Sequence, residues 1–156
     1  MVSKSISNIR GYGSSECMSA SFNNCTITID HTYESGDSDF YLTLKDEDVF
    51  ELSIHLEKEE FIKLAKIVKN RLELELVISN YSCVYENEDF EIDDEDCDHI
   101  EERYTIYLDM SNIWLNIIYH REVNYCVEGN DATYQFYLGT DIVKLDKILQ
   151  EFLFLL

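Results

Sequence analysis

The chain has 156 residues, 46% of them hydrophobic, and sets 12 basic side chains against 32 acidic ones for a net charge of −20. That length fits one domain with a real core, or two very small ones sharing an interface, and the single domain is the expectation; the apolar content excludes wholesale disorder. The charge disfavours direct nucleic-acid binding, because residues 73–156 offer four basic groups against 20 acidic ones. No run approaches the roughly 20 apolar residues that span a bilayer.

The N-terminal MVSKSISNIRGYGSSE has no apolar stretch of the kind a secretory signal needs, and it is patterned for at most one short strand. From Asn24 the period becomes two. Cys25, Ile27 and Ile29 alternate with Thr26, Thr28 and Asp30, which predicts a half-buried strand. Residues 34–38 (ESGDS) form a turn, and Phe40, Leu42 and Leu44 mark a second strand. Residues 46–48 turn the chain into a third, carried by Phe50, Leu52, Ile54 and Leu56. Helical spacing follows at Phe61, Leu64, Ala65, Val68 and Leu72, with Glu57, Glu59 and Glu60 at its start and Lys66, Lys69 and Arg71 at its end. This charge order complements the helix dipole. Residues 24–72 therefore read as βββα.

Residues 112–155 repeat the arrangement. Ile113, Leu115, Ile117 and Tyr119 predict one strand, Val123, Tyr125 and Val127 the next, and Tyr134, Phe136 and Leu138 the third, with a hairpin turn at residues 128–131 (EGND). Thr140 or Asp141 caps a helix through Ile142, Leu145, Ile148, Leu149 and Phe152. The stretches FIKLAKIVK (61–69) and IVKLDKILQ (142–150) superpose their apolar and lysine positions without a gap, as an internal duplication would. Two further strands are expected at residues 72–78 and around Tyr104, Ile106 and Leu108. The expected fold is thus α+β: an antiparallel sheet with two packed helices from pseudo-duplicated βββα units, plus an acidic hairpin insertion at residues 86–102.

That insertion carries most of the chemistry. Residues 73–102 hold 13 acidic residues and no basic one. The densest part comprises Glu86, Glu88, Asp89, Glu91, Asp93, Asp94, Glu95, Asp96, Asp98, Glu101 and Glu102. Such a run adds self-repulsion and nothing to a core. Extended, it spans about 56 Å, or one charge per ~5 Å; helical, it spans about 25 Å, or one per ~2.3 Å. Double-stranded DNA carries one charge per about 1.7 Å and a single strand one per about 3.4 Å. A basic groove built for phosphates would attract either form. The bland alternative is a solvated loop, which charge runs often are.

Other chemistries find less support. Asp94, Asp96 and Asp98 match positions 1, 3 and 5 of a calcium loop, but His99 stands where the turn needs Gly and Thr105 where a bidentate Glu belongs. Cys97-x-His99 is a lone pair at metal-ligand spacing, and His31, His55 and His120 read as ordinary surface or rim residues. No metal or other cofactor is expected. No nucleophile, zinc-protease or phosphate-loop motif occurs, so no catalytic residue and no enzyme is expected. The odd set of Cys17, Cys25, Cys83, Cys97 and Cys126 without C-x-x-C reads as reduced thiols of a cytoplasmic protein. By alternation Tyr104 and Tyr134 face the core, while Tyr41, Tyr107 and Tyr137 face away and offer a second interaction surface.

In size, charge and a composition rich in Ile, Asn, Lys and Tyr, the chain resembles the acidic inhibitors that phages and mobile elements deploy against host nucleic-acid enzymes, such as anti-CRISPR and anti-restriction DNA mimics. The resemblance implies a basic nucleic-acid-binding protein as partner. The residues of 86–102 named above, assisted by Asp46, Glu47 and Asp48, would fill its groove. The alternatives are an immunity protein that neutralises a cognate toxin, or a structural protein that oligomerises through its aromatic sheet face. Oligomeric state is left open.

Overall fold

The computed structural model describes residues 2–9, 13–34, 36–46, 50–85, 97–154 and 156. They form two antiparallel sheets and two helices. The first sheet runs in chain order through β1 (Val2–Ile9), β2 (Gly13–Ser21), β3 (Cys25–Glu34), β4 (Asp37–Asp46) and β5 (Glu51–Glu57). Period-two alternation sets its register. Ile27 opposes Leu44, Ile29 opposes Leu42 and His31 opposes Phe40, so one face of β3 and β4 is continuously buried. Ile54 and Leu56 of β5 extend that face, opposite Leu42 and Phe40. A one-residue slip would turn the whole set outward, which makes the register strongly specified.

Helix α1 (Lys58–Asn70) covers this face with Phe61, Leu64, Ala65, Ile67 and Val68. It begins where the Glu57 N–H donates to Glu60 Oε1 at 2.9 Å, and acidic Glu59 and Glu60 sit at the positive end of its dipole. It ends at Arg71, whose left-handed backbone (φ 53°) lets its N–H reach the Ile67 carbonyl.

The second sheet, in order β10-β8-β7-β6, comprises β6 (Leu76–Tyr85), β7 (Cys97–Asp109), β8 (Trp114–Val123) and β10 (Ala132–Tyr137), with the two-residue β9 (Cys126–Val127) also on β8. Helix α2 (Ile142–Leu153) follows and buries Ile142, Leu145, Ile148, Leu149 and Phe152. The helices touch each other. α1 also contacts β4, β5, β6 and β7, and α2 contacts β2 and β3. Their apolar faces and those of both sheets form one continuous core. At its centre the Phe40 and Phe61 rings stack at 3.9 Å, and Phe152 meets both edge-on at 6.3 Å.

Several expectations are corrected. The strands form two sheets, because α1 separates β5 from β6 and each half pairs within itself. The N-terminal region contributes two strands, β1 and β2, and β2 buries Met18 and Ala20 against the β3 face. The sixth strand starts at Leu76, four residues after the expected start. The second three-strand unit is not built as expected. Asn124 (φ 51°) and Tyr125 (φ 67°) turn the chain directly after β8, so β9 and β10 lie end to end on one edge of β8. Residues 128–131 therefore interrupt a return strand and do not turn a hairpin. No helix among the described residues is long and apolar enough to cross a membrane.

Candidate partner-binding ribbon

Burial along the second sheet is polarised. Leu76, Ile78, Tyr104, Ile106, Leu108, Leu115 and Ile117 are buried beneath the helices. Beyond them the alternation lapses: residues 79–84 are exposed, and residues 98–103 and 118–123 are neither buried on one face nor fully exposed on the other. The distal parts of β6, β7 and β8 thus form a half-exposed ribbon, anchored where Tyr119 packs against the core and meets Tyr104 at 5.2 Å.

Polar contacts add to that packing. The Asn124 side chain donates to Asp98 Oδ1 at 2.9 Å and accepts from the His99 N–H at 3.0 Å, while the Asn124 N–H donates to the His99 carbonyl at 2.7 Å. On one face the Tyr119 hydroxyl donates to Glu102 Oε2 at 2.6 Å. Burial, and then this bond to a carboxylate, push the Tyr119 hydroxyl pKa up. On the other face Tyr81 donates to Glu101 at 3.3 Å. His120 is clamped between Glu122 (Nε2, 3.0 Å) and Asp131 (Nδ1, 2.6 Å). The hydrogen bonds of Glu122 and then Asp131 raise the imidazole pKa, and His120 in turn lowers that of Glu122. Arg121 pairs with Glu128 at 2.6 Å and tethers the 128–131 segment to β8.

Glu101 lies directly opposite Glu122 across the β7–β8 ladder, and His120 at 3.0 Å from Glu122 offsets the repulsion of the two carboxylates. With Tyr81, His99, Ile100 and Tyr125 they line a shallow cavity of about 90 Å³. Tyr81 and Tyr125 are 76% and 84% exposed, so this end of the ribbon presents carboxylates between bare aromatic rings.

The structure brings together three of the acidic residues picked from the sequence. Asp98 and Glu102 extend from the face of β7 that continues the core face, and Glu101 from the opposite face. They belong to a strand and not to a hairpin loop. Glu86, Glu88, Asp89, Glu91, Asp93, Asp94, Glu95 and Asp96 lie outside the described residues, as do Glu47 and Asp48. Asp46 is not part of this surface. It accepts the Phe50 N–H at 3.2 Å, and Phe50 in turn stacks on Tyr134 of β10 at 4.5 Å.

Two features escaped the sequence reading. Cys83 and Cys97 are joined in a disulfide and are not free thiols. They stand diagonally across the β6–β7 ladder, since Cys83 opposes His99 and Tyr85 opposes Cys97. Only the register reveals this proximity; C-x-H on β7 was its sole trace in the sequence. His31 is no surface residue: it is 6% exposed and closes the end of the buried face of β3. Its ring stacks on Phe40 at 4.5 Å, its Nε2 lies 3.1 Å from Ser38 Oγ, and burial lowers its pKa against the opposing pull of Glu16 and Asp39. Glu16, His31, Tyr33, Ser38, Lys58 and Leu156 line an open cleft of about 540 Å³ at that edge. The alternation of Ile27, Ile29 and His31 was the signal, and the unfavourable burial of an imidazole argued against reading it. Of the outward tyrosines, Tyr41 and Tyr137 are 40% and 36% exposed. No family model matches the chain, and no curated protein matches it either.

Proposed function

We propose that this protein is a non-enzymatic, acidic inhibitor acting in the cytoplasm. It would bind and block a basic, nucleic-acid-binding protein, in the manner of an anti-CRISPR or anti-restriction DNA mimic. The observation that carries the reading is the ribbon itself. Asp98, Glu101, Glu102 and Glu122 stand on β7 and β8 where the buried alternation has lapsed and the sheet is half-exposed. Eight further carboxylates occur between β6 and β7 at residues 86–96, with no basic residue among them. Such a surface gives fast, salt-sensitive encounter with a groove shaped for phosphates.

The two halves are read as a tandem duplication of a meander followed by a helix. The gapless match of FIKLAKIVK to IVKLDKILQ supports it, each segment lying in the helix that follows its sheet. The oligomer reading draws on the outer sheet faces, where Tyr41 and Tyr137 are exposed. The test of the main reading is capture from a bacterial lysate treated with nuclease, at about 50 and about 500 mM salt. The bait is wild type beside a variant with the carboxylates of residues 86–102 changed to amides. A nucleic-acid enzyme held only by wild type, and less at high salt, supports the reading. Equal capture by both baits refutes it, and capture of a toxin transfers the protein to the immunity class.

A further inference from the structure

Cys83, Cys97 and His99 meet on one face of the ribbon, at the base of the acidic segment, with their Sγ and imidazole nitrogen atoms all within 4.8 Å of one another. The arrangement follows from the ladder. Cys97 and His99 are two residues apart on β7 and so share a face, and Cys83 lies directly opposite His99. Cys97 is buried, whereas Cys83 and His99 are open to solvent. His99 is held from three sides. Its N–H and carbonyl are both bonded to Asn124, its ring lies 6.0 Å from that of Tyr125, and its Nε2 points at Cys97 Sγ from 3.8 Å.

We propose that the reduced pair, together with His99, forms a Cys2His site for a zinc ion, and that disulfide and metal are alternative states of one clasp. Tetrahedral zinc with Zn–S near 2.3 Å and Zn–N near 2.0–2.1 Å sets its sulfur and nitrogen ligands about 3.5 Å apart. The Cys97 Sγ to His99 Nε2 separation is already close to that. Thiolates select zinc over the hard cations that carboxylates attract, and the surrounding negative charge raises the local concentration of any dication. The fourth position is open to water, or to Glu101, which follows His99 on the same face. Both states balance. Zinc binding releases the two thiol protons to solvent. Oxidation by a small-molecule disulfide joins the two sulfurs, leaves two small thiols and excludes the metal. Either state ties residue 83 to residue 97 and so brings the two ends of the acidic segment together. The site does not depend on the identity of any partner.

The test is cobalt titration of the full chain, reduced and kept free of oxygen, followed by displacement with zinc. The expected result is a thiolate-to-cobalt charge-transfer band, which carboxylates cannot produce, saturating at one equivalent and abolished by zinc. Oxidised wild type gives no band, a control that needs no mutation. Cys83→Ser with Cys97→Ser removes the band although Cys17, Cys25 and Cys126 remain. His99→Gln weakens binding by more than about a hundredfold, beyond the roughly 10–100-fold that loss of an orienting partner costs. A reduced wild type without the band overturns the proposal. So does a band that persists in the double variant, or an affinity that His99→Gln leaves unchanged.

Discussion

Replacing Phe152 by alanine tests how the two halves are joined. Phe152 lies on α2 and is 1% exposed. Its ring meets Phe40 of β4 and Phe61 of α1 edge-on at 6.3 Å and His31 of β3 at 6.0 Å. Burying such a side chain is worth about 2.5 kcal/mol, and three edge contacts at about 0.5 kcal/mol each bring the loss to roughly 4 kcal/mol. This falls inside the range of about 3–5 kcal/mol seen for buried Phe→Ala changes. For a chain of this size it lowers Tm by roughly 8–16 °C. Urea denaturation followed by circular dichroism measures it as a lower midpoint at unchanged slope. Phe154, two residues on and 93% exposed, is the internal control: Phe154→Ala should change stability by no more than about 0.5 kcal/mol. A cost below about 1.5 kcal/mol for Phe152→Ala, or equal costs for the two, would refute the packing of α2 against the first sheet.

Two further outcomes follow from local geometry. In an NMR titration His31 should protonate below the ordinary histidine value of about 6.5 and His120 above it. The signs differ: the His31 contribution to stability is complete above that value and lost as pH falls through its folded pKa. The His120 contribution is complete below it and lost as pH rises through its folded pKa. Coincident titrations would contradict both environments. Gly139 adopts φ 56°, and a Cβ there would lie 2.8 Å from Tyr137 Oη. Gly139→Ala should therefore cost about 1–2 kcal/mol by denaturation, and a neutral result would show that this turn relaxes freely.

What was legible in the sequence was what a period could carry. Ile27–Ile29, Phe40–Leu42–Leu44 and Ile54–Leu56 alternate cleanly, and the structure pairs them in register. Helices α1 and α2 show their apolar stripes directly. The return strand was misread because Asn124 and Tyr125 take left-handed backbone without a glycine to announce it. β1 and β2 were reduced to at most one short strand because Ser-rich segments such as SKSIS and GSSECMSAS carry little apolar pattern, while the structure pairs them as a full ladder. The acidic block was visible as charge, yet its last residues proved to be strand, since Glu101 and Glu102 pair in register with both β6 and β8 beyond the point where the buried alternation ends at Tyr104. The Cys83–Cys97 pair and the His99 beside it are products of register, which residue spacing alone does not supply.

The most direct measurement of the central claim is competition at the partner's own groove. A labelled DNA or RNA is bound to the captured protein and its fluorescence anisotropy followed as the acidic chain is added. Wild type should release the nucleic acid, with an apparent affinity that weakens steeply between about 50 and 200 mM salt. The variant with amides at residues 86–102 should release none. Release by both proteins, or a partner that keeps its nucleic acid while holding the wild-type chain, would contradict the claim that these carboxylates stand in for phosphates.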